Sequence, residues 1–178
     1  ITFRRGQTLA STLSPSYPVL SVPENWLTLH QTGFFKCGHC AFCRFTVDQI
    51  KSFSYNGDRM YNIRDYMNCQ SKYCVYVILC QCGQIYVGSS IRTMQDRVSE
   101  HWRAVRSNDH RYPVALHAAV CDKFAFRFHG IDHVRPPVRG GNRELRLRRQ
   151  EAFWIMRLKA VELGMNIDNE LHYFLGDK

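Results

Sequence analysis

The sequence predicts an α+β fold: a small antiparallel sheet flanked by helices, with an N-terminal zinc-binding module ahead of it. Three observations carry that prediction. Residues 75–79 and 85–87 alternate with the period of a strand. Apolar residues recur with the helical period in two later stretches, 91–105 and 147–161. The eight cysteines fall in short, metal-like spacings, and no secretory signal opens the chain, which favours metal ligation over disulfides. With 178 residues, 45% of them hydrophobic, the chain can bury one core of ordinary size plus an appendage.

Residues 1–33, with Ser14, Pro15, Pro18 and Pro23 among polar residues and no period, read as a linker or extension from an upstream domain. The start at Ile1, with no Met, predicts a piece of a longer protein. Residues 34–73 read as a cysteine-rich zinc module in which Phe34, Phe35, Lys36, Phe45, Tyr61, Arg64 and Tyr66 mark short strands. Residues 74–178 form the larger domain. There Val75, Val77 and Leu79 alternate with Tyr76 and Ile78, and after the break at 80–84 the run Ile85-Tyr86-Val87 completes a β-hairpin. Ser89 or Ser90 is expected to cap a helix whose apolar face is Ile91, Met94, Val98, Trp102 and Val105, ending near Ser107 and Asn108. Pro113 opens a shorter helix running to Val120, and Phe124, Phe126 and Phe128 alternate as an inner strand. Pro136-Pro137 and Gly140-Gly141 break the chain before a long helix over 146–164, which Gly164 ends.

A formal charge of +9 points to a polyanionic partner, with nucleic acid the leading candidate. A membrane partner is not expected, since no apolar run approaches the roughly 18 to 20 residues needed to span a bilayer. Cys37, Cys40 and Cys43 supply three thiolates within seven residues, a spacing that wraps one tetrahedral zinc, with Cys69 the natural fourth ligand and His39 its competitor. Cys80 and Cys82 sit at the hairpin tip. His117 and Cys121, at i and i+4 on the short helix, are the expected partners for a second zinc, with His110 in reserve. Cys74 has no partner by spacing and reads as buried packing.

The chemistry is expected around Glu151, which lies on the same helical line as Leu147, Trp154, Leu158 and Val161. Burying an unpaired carboxylate costs several kcal/mol or more, so it marks either a ligand site or a local ion pair with Arg148 or Arg97. Tyr76 and Tyr86 share the hairpin face opposite Val77 and Val87, so both phenols can emerge together beside the following helix. Arg97 and His101, at i and i+4, direct a guanidinium and an imidazole at one spot. Arg139, Arg143, Arg146, Arg148 and Arg149, with Arg103, Arg106 and Arg111, form a candidate rim for tracking phosphates.

The strings Val75-Tyr76-Val77 and Tyr86-Val87-Gly88, followed by Arg97, His101, Glu151 and Asn166, resemble the GIY-YIG nuclease domain over about residues 73–170. A narrower resemblance is to the endonuclease of Penelope-like retroelements. It rests on the cysteines between the two motifs, on Tyr112-Pro113-Val114-Ala115, on Arg139-Gly140-Gly141-Asn142-Arg143 and on Glu151-Ala152-Phe153-Trp154-Ile155. That subgroup usually binds zinc with two Cys and two His; here Cys121 stands where the last His would be. The resemblance implies phosphodiester hydrolysis in DNA, with Glu151 holding one Mg²⁺ or Mn²⁺ and Arg97 clamping the scissile phosphate. Tyr76, Tyr86 or His101 would activate water, a task for which a phenol of ordinary pKa near 10 must be lowered by neighbouring cations. Asn166 would orient a backbone or substrate group, and Gly88 would let the substrate backbone approach. It further implies an upstream reverse transcriptase in the same polypeptide, its template RNA, a nick that primes copying, and a nuclear location. Two other readings stay open: a zinc-stabilised nucleic-acid reader that cuts nothing, and a zinc domain that holds other proteins.

Overall fold

The computed structural model describes residues 31–46, 48–57, 59–121, 124–137 and 140–167. These residues belong to one unit, Gln31–Lys178. The expected extension over 1–30, and Arg139 of the expected basic rim, lie outside the described residues.

In chain order the strands are β1 (Gly33–Phe35), β2 (Gln49–Ile50), β3 (Ser52–Phe53), β4 (Tyr61–Asn62), β5 (Tyr66–Asn68), β6 (Cys74–Cys80), β7 (Ile85–Ser90) and β8 (Phe126–His133). The helices are α1 (Met94–Arg106), α2 (Pro113–Val120) and α3 (Arg143–Arg157), with a 3-10 turn at Ala41–Phe45. Strand β6 is apolar on both faces and buried throughout except at Leu79, so it must be central. It pairs antiparallel with β7 on one side and β8 on the other. Phe124 falls outside β8, which instead continues to His133 past a bulge opposite Val75 and Tyr76.

The face bearing Tyr76, Ile78 and Tyr86 is covered by α1, whose buried residues are Met94, Val98, His101 and Ala104. The opposite face lies against α3, which buries Leu147, Ala152, Trp154 and Ile155. The N-cap of α1 is Thr93, whose side chain accepts from the Asp96 N–H, rather than Ser89 or Ser90, because β7 stays extended through Ser90. The long helix runs from an Asn142 cap to Leu158, earlier at both ends than the apolar period suggested; Lys159, with φ of 49°, turns the chain back before Gly164.

The cysteine-rich segment straddles the β8 edge of this sheet. Phe34 meets Phe128 edge-on with ring centroids 6.0 Å apart, and Phe53 meets His129 at 5.5 Å. Phe128 and His129 are consecutive on a strand, so they point to opposite faces, and the segment therefore packs on both. Phe45 adds a third contact, stacked on Phe126 and tilted against Trp102 of α1. No helix among the described residues is long and apolar enough to cross a membrane.

Candidate active site and metal centres

Tyr76 sits between two glycines across the sheet, Gly88 on β7 and Gly130 on β8. Side chains fill the room they leave. A Cβ on Gly88 would lie 2.6 Å from the Tyr76 hydroxyl and 2.8 Å from the Tyr86 ring, and one on Gly130 would meet Met94 and Met67. Gly88 thus makes space for the two tyrosines themselves. Gly88→Ala should therefore push both rings out of place, costing about 1 to 3 kcal/mol and most of any activity that depends on them. A melting temperature within a degree of the parent would show that the rings have slack.

The structure brings the four residues expected to converge here together, with both phenols beside α1 as expected and buried beneath it. The Tyr76 hydroxyl lies 2.7 Å from His101 Nε2, and Arg97 Nε donates to it at 3.3 Å. Tyr86 packs edge-on to His101 at 5.1 Å, and Tyr112, which precedes α2, packs at 6.4 Å. Arg97 also pairs with Glu100 at 3.1 Å, and Arg92 pairs with the same carboxylate, so Glu100 braces the guanidinium. Burial works against the Arg97 charge, but the Tyr76 and Tyr86 oxygens and Glu100 outweigh it and hold the guanidinium firmly protonated. His101 is pushed down to about 3, by burial first and by Arg97 second, so its imidazole stays neutral.

His129, buried on the other face against Phe53, is pushed down to about 4 by burial alone. The unfolded chain binds protons at both histidines near the ordinary 6.5, whereas the folded chain does not until about 3 or 4. Stability should be fullest above about pH 7. It should fall as pH drops through 6.5, by about 1.4 kcal/mol per pH step for each histidine. Urea midpoints at pH 7.5 and 5, with zinc content monitored at each, check this; equal midpoints contradict it.

Glu151 projects from α3 toward β7, where Ser89 Oγ donates to its Oε2 at 2.7 Å. The two arginines that offered the simpler explanation are engaged elsewhere: Arg148 pairs with Glu144, and Arg97 with Glu100. A cavity of about 250 Å³ opens between α1 and α3, lined by Ser89, Arg92, Arg97, Leu147 and Arg148. It brings the residue that holds Glu151 and the residue that touches Tyr76 to one space. A carboxylate offers about four lone-pair sites, so one that accepts from a serine is also a group of the kind that holds a hard divalent cation. The sequence marked Ser89 only as a candidate helix cap, because the partner that gives it this role, Glu151, is 62 residues away.

Asn166 lies outside this cavity. Its side-chain amide accepts from Val87 N–H and donates to Val87 C=O, both at 2.8 Å, so it orients backbone on the edge strand. Arg143 differs from its expected place on the rim. Two of its nitrogens donate to Val134 C=O and its guanidinium lies 3.7 Å from the Tyr73 ring centre, so it pins the start of α3. Arg146 and Arg149 are exposed, as a rim requires, while Arg111 pairs with Asp109.

Both metal sets assemble with the expected members. Cys37, Cys40, Cys43 and Cys69 form one group and Cys80, Cys82, His117 and Cys121 the other, each with its ligand atoms within 4.8 Å of one another. Sulfur separations of 3.5, 3.5 and 3.8 Å in the first group, and of 3.8 Å between Cys80 and Cys121, far exceed a disulfide bond of about 2.0 Å. They match the edge of a tetrahedron around zinc, about 3.8 Å for a zinc–sulfur bond of about 2.3 Å. Cys82 Sγ lies 3.3 Å from His117 Nε2. The groups could therefore hold zinc. Cys74 is buried with its thiol pushed up to about 12 by burial, as a packing residue should be.

The family description "GIY-YIG catalytic domain" matches residues 72–160, from the end of the cysteine-rich segment through α3. No curated protein and no solved structure matches the chain.

Proposed function

The chain belongs to the GIY-YIG catalytic-domain family, a nuclease family, and from that premise we propose that it is a metal-dependent DNA endonuclease cutting at the cavity between Ser89 and Arg97. The observation that carries this is the joint lining of that cavity by the serine that holds Glu151 and the arginine that touches Tyr76. Catalysis of phosphodiester hydrolysis needs an activated water and charge neutralisation at phosphorus. Arg97, fixed by Glu100, offers its remaining donors to the scissile phosphate. Tyr76 is the water-activating group, its buried hydroxyl linked to the cavity through Arg97, which donates to it and lines that space. His101 Nδ1 is buried with no hydrogen-bond partner, which favours the tautomer with a bare lone pair there, because an orphaned N–H is the rarer defect. His101 Nε2–H then donates to the Tyr76 oxygen beside the Arg97 donor, and two donors on one phenolic oxygen stabilise the phenolate. The neutral imidazole is thus a positioning group, and Tyr86 walls it in. A cation held by Glu151, Mg²⁺ or Mn²⁺, would supply Lewis-acid polarisation of the phosphate and the leaving oxygen.

The narrower reading is the endonuclease of a Penelope-like retroelement, acting in the nucleus to nick target DNA and prime an upstream reverse transcriptase on its template RNA. The cysteines at the hairpin tip support it, as does Tyr112-Pro113, where Tyr112 backs His101 and Pro113 starts the helix bearing His117. One such site per chain cuts one strand. Incubation with supercoiled plasmid and Mg²⁺ or Mn²⁺ should give nicked circles whose new 3′ ends a DNA polymerase extends. Plasmid that is retarded on a gel but stays supercoiled would replace this reading with the non-cutting nucleic-acid reader.

A further inference from the structure

The other flank of α3 faces a second and larger concavity. Two cavities of about 620 Å³ each share Asp132 and Gln150, and together they follow α3 from Arg146 to Arg157, roughly 16 Å of helix. The facing wall is the cysteine-rich segment, through Arg59, Tyr61 and Arg64. From this groove we infer that the protein grips an unpaired DNA strand there, at a site separate from the cutting cavity.

The charge is right for phosphates. Arg64 and Arg146 are exposed, and among the described residues neither has a carboxylate partner. Arg157 Nε is buried without an acceptor, and its guanidinium lies 5.7 Å from the Tyr61 ring centre, with Arg59 over the same ring at 5.5 Å. Asp132 is the one carboxylate among the groove's described lining residues; its Oδ2 accepts from Gln150 Nε2 at 2.5 Å and from Trp154 Nε1 at 2.8 Å, which holds it against the wall, and the arginines outnumber its single charge. Aromatic surface is available to bases. Phe153 lines the groove, is 47% exposed and stands edge-on to Trp154 at 5.5 Å, so much of its surface is open to a base. Arginines alternating with an exposed ring in a narrow concavity suit a single strand, whose bases stack and whose backbone follows the charge. A duplex keeps its bases stacked inside and cannot use Phe153.

The placement adds to the cutting site. Gln150 and Glu151 are neighbours on α3, one bonded to Asp132 of β8 and the other to Ser89 of β7. The groove and the cutting cavity therefore flank the same helix, about 10 Å thick. A strand parted from its partner beside the cut lies within reach of the groove. The inference rests on nucleic-acid binding but not on cleavage.

The test uses the full chain carrying Glu151→Gln, so that nothing is cut, without chelator, so that the cysteine sites are undisturbed. Fluorescence anisotropy compares a labelled 12-nucleotide oligo-dT, a 12-base-pair duplex and the matching oligo-U RNA. Phe153→Ala should weaken oligo-dT binding about tenfold and leave the duplex within about twofold. Arg64→Ala should weaken it and lower the slope of log affinity against log salt by about 0.7. Both positions are exposed, and unchanged melting temperatures verify folding. Unchanged oligo-dT affinity, equal losses for strand and duplex, or tighter binding of the RNA would each overturn the assignment. If the unmodified chain nicks plasmid yet these variants bind normally, the groove fails and the nuclease reading stands; if the variants lose oligo-dT binding and the unmodified chain does not nick, the reverse holds.

Discussion

Glu151→Gln should lower plasmid nicking by roughly a thousandfold or more while leaving folding and DNA retardation intact, the loss expected when a group that stabilises transition-state charge is removed. Glutamine has nearly the shape of glutamate and its carbonyl can accept from Ser89 Oγ, so the 2.7 Å bond that aims the side chain survives. What disappears is the negative charge that would hold a divalent cation beside Ser89 at the cavity's edge. The change is clean because Glu151 is only half-buried, at the open side of α3 against β7, while the packing of that helix rests on Leu147, Trp154 and Ile155. Nicking assayed over a range of Mg²⁺ and Mn²⁺ decides it. If the variant cuts within tenfold of the parent, the cation is held elsewhere and the mechanism is wrong.

Cys69→Ser should cost more than any other single change, because Cys69 joins the first metal group to the candidate active site. Its thiol is buried 3.8 Å from Cys43, while its carbonyl accepts from Gln95 N–H at 2.9 Å and the neighbouring Ser71 carbonyl accepts from Met94 N–H at 3.0 Å. These bonds fix the first turn of α1, the helix that carries Arg97 and His101. Structural zinc binding contributes on the order of 10 kcal/mol, comparable to the whole stability of an ordinary domain at about 5 to 15 kcal/mol. The variant should bind one zinc per chain instead of two, melt at least about 10 °C lower and lose nicking. Cys82→Ser, on the exposed hairpin turn, should loosen only the link between hairpin and α2 and cost less. Elemental analysis and thermal melts read both; two zinc ions retained by Cys69→Ser would remove the metal from the account.

The metal groups were legible because their information is local. Spacings such as Cys37-x-x-Cys40-x-x-Cys43 and His117-x-x-x-Cys121 declare a ligand cluster before any fold is known, and only the pairing across 26 to 41 residues needed the sheet. The hairpin and the short helix after Pro113 followed from local pattern, whereas the meeting of Tyr76 with Arg97 and His101 was an expectation carried by the family resemblance. Tertiary competition decided the rest. Ser89 and Ser90 have cap chemistry, but their pairing with Val75 and Cys74 extends the strand and passes the cap to Thr93. Arg143 has the charge of a phosphate contact, yet the Val134 carbonyl and the Tyr73 ring claim it. Alternation placed the two phenols beside the following helix but could not show how completely α1 covers them.

The straddling of β8 by the cysteine-rich segment bears on how portable the catalytic half is. Residues 72–160 carry every candidate catalytic group except Asn166. Cut out alone, however, they would expose Phe128 on one side and His129 with Trp154 on the other, and would lose the Met165 N–H bond to Ile85 C=O along with the Asn166 amide on Val87. The smallest autonomous piece therefore reaches beyond the family stretch in both directions, from about Gly33 to Asn166. In this protein the cysteine-rich segment cannot be exchanged for an unrelated module without rebuilding the sheet it packs against.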